Sequence, residues 1–378
     1  MTIYLDHSAT TRVWPEVIEG LTKSLSFHYA NPSSIHRLGQ SANKLLNESK
    51  KQIAGLLGCQ KSELILTSGG SESINLAIKG YLAASPRQTR RVISSQGEHA
   101  ATTETLSWLR QQGYEIEELP LQPDGRVNLQ FLTQALARPA ALISLIHVSN
   151  ETGAVNDIAE IVRLRNSLQP ETAIHLDAVQ TLGRQPLNFE KLGVEMLSGS
   201  GHKIGAPKSI GWLLVKKGIR LTPLIHGGGQ QILRSGTENP PLAAALALAV
   251  QLTCQDTDSR EAVVRNLRQL LLSELTDGNV DYQILSPLDG VPQILLLAFP
   301  GLRGETLLHA LEAKSIYIST GAACSSHNKK ANRVLQSMGI PDKTADCAVR
   351  ISLAAINTPD EIKTTALAII ESCRWLIK

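Results

Sequence analysis

Apolar runs of strand length alternate with segments of helical spacing along the first two thirds of the chain. The runs are 63–67 (ELILT), 91–94 (RVIS), 141–148 (ALISLIHV), 173–176 (AIHL) and 210–215 (IGWLLV), and segments 73–82 and 102–111 carry apolar residues at helical intervals. Short strands that are almost wholly apolar are buried on both faces, since a strand with one wet face alternates apolar and polar side chains. The pattern therefore predicts a mainly parallel sheet with helices on both sides. In such sheets ligands sit where the carboxyl ends of strands meet the following helices. Beyond about residue 250 the texture changes. Segment 263–275 reads as a long amphipathic helix, 293–298 (QILLLA) as a strand and 361–376 as a closing helix, which together predict a second, smaller α/β domain.

Length and composition narrow the class. A chain of 378 residues has room for two or three domains, and 42 % hydrophobic with 19 % charged residues is globular usage, which excludes disorder as the main state. Aromatics make up 4 %, so Leu, Ile, Val and Ala supply most of the core. Thirty-seven basic and thirty-four acidic side chains leave +3, and the basic residues occur at most as pairs, so no stripe for nucleic acid is visible. The longest apolar run, 242–252, falls short of the roughly 18–20 residues of a membrane span. Asp6 and Arg12 interrupt the first residues, MTIYLDHSATTRV, where a signal peptide requires an apolar segment. Five scattered cysteines form no CxxC pair, which fits a reduced compartment and leaves room for one reactive thiol. A cytoplasmic protein is expected.

Four stretches carry candidate chemistry. In Thr67-Ser68-Gly69-Gly70-Ser71-Glu72-Ser73 a small, hydroxyl-rich turn opens a helix, and its free N–H groups and positive helix end suit a phosphate. An ordinary turn with Ser71 as N-cap fits equally well. In His175-Leu176-Asp177-Ala178-Val179-Gln180 an aspartate follows an apolar strand, where a buried carboxylate requires a cation or several donors; a structural ion pair or cap is the competing reading. In the stretch 198–208 (SGSGHKIGAPK), Lys203 stands among small residues before a strand, where partial desolvation favours loss of its proton. Taken alone it would be a loop lysine. A phosphate-type turn, a strand-end Asp and a loop Lys, in that order on an α/β sheet, together meet the demands of pyridoxal phosphate. In the stretch 319–330 (STGAACSSHNKK), Cys324 lies in a small polar loop beside Lys329, Lys330 and His327, which favour a thiolate; an incidental loop cysteine is the alternative. Arg350, in an alternating strand at 349–353, is a candidate partner for a substrate carboxylate or a surface salt bridge.

At these residues the chain resembles the cysteine desulfurases of the NifS/IscS type, in the class V aminotransferase group of fold type I pyridoxal-phosphate enzymes. The matching stretches are YLDHSATT (4–11), NPSSIH (31–36), TSGGSES (67–73), Glu98-His99, NETG (150–153), HLDAVQ (175–180), SGHKIGAPK (200–208), RSGTEN (234–239), TGAACS (320–325) and RISL (350–353). The resemblance implies a homodimer. It also implies a large cofactor domain, 15–255, on a mainly parallel seven-stranded sheet, and a small domain of 1–14 with 256–378 that carries the Cys324 loop.

Carried onto this sequence, it makes Lys203 the residue bonded to pyridoxal phosphate. Asp177 would pair with the ring nitrogen, Gln180 with the ring hydroxyl oxygen, and His99 would stack on the ring. Gly70, Ser71, Ser200 and His202 would hold the phosphate, with Thr237 reaching the phosphate of the neighbouring subunit. Asn150 and Arg350 would bind the carboxylate of L-cysteine, and Cys324 would accept its sulfur as a persulfide, releasing L-alanine. A sulfur-acceptor protein, scaffold or sulfurtransferase, is the implied partner, without direct nucleic-acid or membrane binding. Ser71 stands where the family commonly has Thr, Ser149 where a second Asn is common, and the cysteine loop is TGAACSS rather than SSGSACTS. A lyase acting on cysteine or selenocysteine, an aminotransferase, and a non-catalytic relative of the fold are the rival readings. The thiol at 324 argues against the first two, and Lys203 with Asp177 against the third.

Overall fold

A computed structural model describes residues 2–84, 89–320 and 333–376. In chain order its strands are β1 (Ile3–Tyr4), β2 (Leu64–Thr67), β3 (Arg91–Ser95), β4 (Glu115–Leu119), β5 (Leu142–Ile146), β6 (Ala173–Asp177), β7 (Met196–Ser200), β8 (Gly211–Val215), β9 (Gln283–Ile284), β10 (Ile294–Ala298), β11 (Ile316–Tyr317), β12 (Ser319–Thr320) and β13 (Ala348–Ser352).

Seven of them form one sheet in the order β2-β8-β7-β6-β5-β3-β4. Four neighbouring pairs run parallel and β8 runs antiparallel to both of its neighbours, so the sheet is mainly parallel. Every residue of β2, β3, β5, β6, β7 and β8 is buried, as their apolar sequences require when helices cover both faces. β4, at the edge, is different. Its sequence EIEEL leaves three glutamates for Arg91, Arg110, Arg138 and Arg333, and such charges protect an exposed sheet edge from pairing with another chain. One face of the sheet lies beneath the helices Pro15–Phe27, Arg37–Leu57 and Pro240–Cys254. The last of these contains the 242–252 run. It is apolar nearly all round because it is buried between neighbours, and among the described residues no helix is long and apolar enough to cross a membrane.

β9, β10, β12 and β13 form a second, antiparallel sheet in the order β12-β13-β10-β9. Helices Thr257–Asp277, Gly304–Glu312 and Pro359–Leu376 pack on it around Leu271, Leu297, Phe299, Ile351 and Ile369. Ile3 and Leu5 enter the same core, and β1 pairs in parallel with β11. Arg350 therefore does not lie in a half-wet strand. All five residues of β13 are buried, because β13 has β10 and β12 on its two sides and apolar layers on its faces.

Close packing of β7 on β8 depends on Gly199. A Cβ there would fall 2.1 Å from the Trp212 ring, which fills the space beside it. Gly199→Ala must displace a fully buried indole, so it is expected to cost about 1–3 kcal/mol. Urea unfolding measures this, and an unchanged midpoint would show that the ring moves aside freely.

Candidate active site

The carboxyl ends of β2, β3, β5, β6 and β7 meet at one edge of the seven-stranded sheet. Asp177 ends β6, the middle strand, and Ser200 ends β7; the β2 turn carries Gly70, the β3 turn His99 and the β5 turn Asn150. Between them opens a cavity of about 460 Å³. Ten of the twelve residues singled out from the sequence line it: Gly70, Ser71, His99, Asn150, Asp177, Gln180, Ser200, His202, Lys203 and Arg350. Thr237 does not; it is exposed and outside this chain's cavity. Cys324 lies outside the described residues, as do His327, Lys329 and Lys330.

Asp177 is 2 % exposed, and its Oδ1 accepts the Val179 N–H at 3.0 Å. Burial pushes its carboxyl up from the ordinary range, while His99, that N–H and Lys203 draw it down. His99 caps the helix Ala100–Gln111, its Nδ1 accepting from Ala101 N–H at 3.1 Å, so the neutral ring carries its proton on Nε2. Burial holds His99 below its usual value, Lys203 adds to that, and Asp177 opposes it. The Lys203 Nζ donates to the carbonyls of Ser8 and Ala9 at 2.6 and 2.7 Å. His202, on the same 3₁₀ turn, contacts the Thr10 hydroxyl through Nδ1 at 3.2 Å. Its ring is pushed down to about 4, chiefly by burial.

The turn after β2 begins its helix two residues earlier than a Ser71 cap would place it. Gly69 is the N-cap, with φ 150° and ψ −173°, a region that essentially only glycine occupies, and the helix starts at Gly70. It continues from Gly70–Asn75 through a π-helical turn, Leu76–Gly80, into Tyr81–Ala84. Ser71 lies exposed in the first turn. A side chain at Gly70 would meet Val179 at 2.9 Å, so the backbone approaches the Asp177 turn as closely as it does only without one. Glu72 fixes the turn by accepting the Ser68 N–H at 2.7 Å and the Arg234 Nε–H at 3.0 Å.

Arg350 is 5 % exposed, not a surface residue. It donates from Nη1 to the Asn150 carbonyl and from Nη2 to Asp6 Oδ1, both at 2.9 Å. Sequence reasoning assigned no role to Asp6, Ser8 or Glu98, although 4–11 and Glu98-His99 are among the stretches on which the resemblance rests. Glu98, 6 % exposed, accepts from Ser95 Oγ at 2.5 Å and from Ile146 N at 3.0 Å through Oε1, which ties the β3 turn to β5 behind His99. Burial pushes its carboxyl up to about 8, and Asp177 adds to the rise.

Four polar atoms of cavity-lining side chains, Ser8 Oγ, Gln180 Oε1, Ser200 Oγ and Arg350 Nε, are buried without a hydrogen-bond partner, and Gln180 Nε2 is held by the Ser8 carbonyl at 2.9 Å. A buried carboxylate, a lysine and these unpaired atoms offer partners to a ligand that carries a basic ring, negative charge and hydrogen-bonding groups. Pyridoxal phosphate fits that donor set, and on fold and cleft together the chain is a fold type I pyridoxal-phosphate enzyme. The chain belongs to the aminotransferase class-V family, whose pattern it matches over residues 3–364. It is 40 % identical over 364 residues to a NifS/IcsS protein homolog of Lactobacillus delbrueckii subsp. bulgaricus, covering 95 % of this chain and 94 % of that one. A cysteine desulfurase IscS of Methanosarcina thermophila is 35 % identical, with 95 % and 89 % covered. A solved NifS-like protein superposes over the full length of both chains with a TM-score of 0.94 at 34 % identity.

Glu98 makes a test of the cavity's electrostatics. Its carboxyl ionises near the ordinary 4.5 in the unfolded chain and near 8 in the fold. Between those values the folded chain holds the extra proton, so stability falls as pH rises through the window and levels off beyond it. Glu98→Gln has no such proton. The stability advantage of the native chain over Glu98→Gln should be largest near pH 5 and shrink toward pH 8 in urea titrations; a pH-independent difference would count against a buried neutral carboxyl.

Proposed function

We infer that the chain is a cysteine desulfurase, converting L-cysteine to L-alanine with transfer of sulfur to its own Cys324. The observation that carries this reading is the meeting of Lys203, Asp177 and Arg350 in one cleft on a chain whose relatives of this length are cysteine desulfurases. Bound pyridoxal phosphate supplies an electron sink joined to the substrate amine.

The residues of the chain do the rest. Gly70, Ser71, Ser200 and His202 hold the phosphate, Asp177 keeps the ring nitrogen protonated, Gln180 meets the ring hydroxyl and His99 covers the ring. Arg350 and Asn150 orient the substrate carboxylate, and Lys203 Nζ removes the Cα proton. The Cys324 thiolate attacks the substrate sulfur: an S–S bond forms, the C–S bond breaks with its electron pair left on carbon, and a proton completes L-alanine. Cys324-SH and L-cysteine thus give Cys324-S-SH and L-alanine, with no further reactant.

The remaining thiols are poor candidates for that step. Burial raises Cys59 to about 12, Cys373 to about 11 and Cys254 above its ordinary value, and Cys347 is 7 % exposed. The reading extends to a sulfur-acceptor protein that collects the persulfide, a cytoplasmic setting, and a homodimer in which Thr237 serves the neighbouring site. Its two domains are 15–255, and 1–14 with 256–378. The exposed position of Thr237 supports the shared site, and the entry of Ile3 and Leu5 into the core of the second sheet supports the domain division.

Incubation with L-cysteine, with L-alanine and protein-bound persulfide measured together, tests the reaction. Cys324→Ser should retain the cofactor and still change its visible spectrum with L-cysteine, yet form neither persulfide nor catalytic alanine. Serine at each of the other four cysteines should be tolerated. Release of alanine and sulfide by Cys324→Ser at the native rate would make the enzyme a lyase.

Mixed dimers test the shared site. A hybrid of Thr237→Ala and Lys203→Ala subunits concentrates both defects in one site and leaves the other intact. Partial activity is expected on mixing two inactive or weakly active proteins; none despite confirmed subunit exchange would confine Thr237 to its own chain.

A further inference from the structure

We propose that Asp6 is a charge filter of the substrate cavity: a fixed carboxylate beside Arg350 that admits amino acids with neutral side chains and rejects those bearing a second anionic group. The proposal rests on the reading of Arg350 as the substrate-carboxylate binder.

Its basis is the pairing of an acid with the guanidinium on which carboxylate recognition depends. Asp6 and Arg350 both line the cavity that holds Lys203. The backbone fixes their meeting: Asp6 bridges to Ser352 in parallel, two residues beyond Arg350 on β13, and Ser8 N–H donates to the Ser352 hydroxyl at 2.9 Å. Asp6 Oδ1 then accepts from Arg350 Nη2, while Nη1 is held by the Asn150 carbonyl and the buried Nε has no partner. Among the described residues Asp6 is the sole carboxylate within 4 Å of that guanidinium.

The pair is neutral overall. A carboxylate-binding arginine needs no acid to bind a carboxylate, and the acid lowers the site's attraction for anions. What it adds is discrimination. A single carboxylate can still use the N–H groups of Arg350 that the Asn150 carbonyl and Asp6 do not occupy. A second anion in the same cavity meets the Asp6 charge, with Arg350 already committed to Asp6 and the first carboxylate. The cavity of about 460 Å³ corresponds to a sphere roughly 10 Å across, about one Debye length at 0.1 M salt, so once a first carboxylate has taken Arg350, salt does not screen Asp6 from a second anion there. Like charges brought together in this way are a standard means of rejecting the wrong ligand.

The test compares L-aspartate with L-alanine, which share the α-amino and α-carboxyl groups and differ by a side-chain carboxylate. Each is titrated into the holoenzyme and followed by the visible absorbance of the bound cofactor. The readout is the ratio of the two dissociation constants within one protein, so partial loss of folded enzyme cancels. Asp6→Asn and Asp6→Ser should each tighten L-aspartate relative to L-alanine by at least about tenfold, and Asp6→Glu should keep the native ratio. An unchanged ratio in both neutral variants overturns the filter, as does a tenfold change in Asp6→Glu. Arg350→Met reports on the underlying reading separately: weaker L-alanine binding supports it, and native affinity there overturns the carboxylate role of Arg350 and the filter built on it.

Discussion

Asp177 ends the middle strand of the large sheet with 2 % of its surface exposed, and an isolated carboxylate moved there from water costs several kcal/mol. One backbone N–H and the neighbouring His99 and Lys203 offset part of that cost, yet the direction of its titration is still upward. A further cation brought into the cleft would offset the rest, and on the function proposed above the protonated ring nitrogen of the cofactor is that cation. Burial sets the charge of the neighbours of Asp177 as well. Glu98, a second carboxyl in the same field, is driven neutral. His99 is held below its usual value, so it offers a flat uncharged face rather than a competing cation.

The N-terminal stretch joins parts of the site that lie far apart in the chain. Ser8 and Ala9 offer their carbonyls to Lys203, Ser8 also receives Gln180, Thr11 donates to the His202 carbonyl at 3.0 Å, and Asp6 takes Arg350. The lysine loop must lie flush against this stretch. Gly205, at φ 78°, meets Trp14 so closely that a Cβ would stand 2.2 Å from its ring, and the indole N–H donates to Ile204 O at 3.0 Å. A few residues beside β1 thereby hold Lys203 and Arg350 in one frame. The two side chains are then mechanically close, although 147 positions separate them in the sequence.

The sheet was readable where burial is uniform and unreadable where it is not. Strands β2, β3, β5, β6 and β8 announce themselves as apolar runs because helices cover both faces. β4 does not, since its glutamates serve an edge, and neither does β7, whose MLSGS is small and polar although every residue is buried. Its small residues are explained by neighbours that no local pattern reveals: Trp212 occupies the space beside Gly199, and Ser198 pairs with His175. The candidate site shows the same division. Residue types that bear chemistry, Lys203, Asp177 and Arg350, stood out, and the cleft gathers them. Asp6 did not, because its meaning lies in a contact across 344 positions, and a lone aspartate near a chain start looks like any solvated acid.

His175 shows why such polar residues are tolerated so deep. It precedes Asp177 by two residues on β6, so both side chains leave the strand on the same face. Its ring is fully buried between two hydroxyls, Ser144 on β5 at 2.9 Å and Ser198 on β7 at 2.8 Å, and burial pushes its titration down to about 3. Both ring nitrogens are satisfied with the imidazole neutral, one donating and one accepting, so the network costs no unpaired polar atom there. An apolar residue would fill the space but leave Ser144 and Ser198 without this partner. A lysine or arginine would place a permanent cation on the face that carries Asp177, where it would satisfy the carboxylate and weaken its hold on an arriving ring. A neutral imidazole meets both conditions: it ties three strands together beneath the site and sets no permanent cation on the face that carries Asp177.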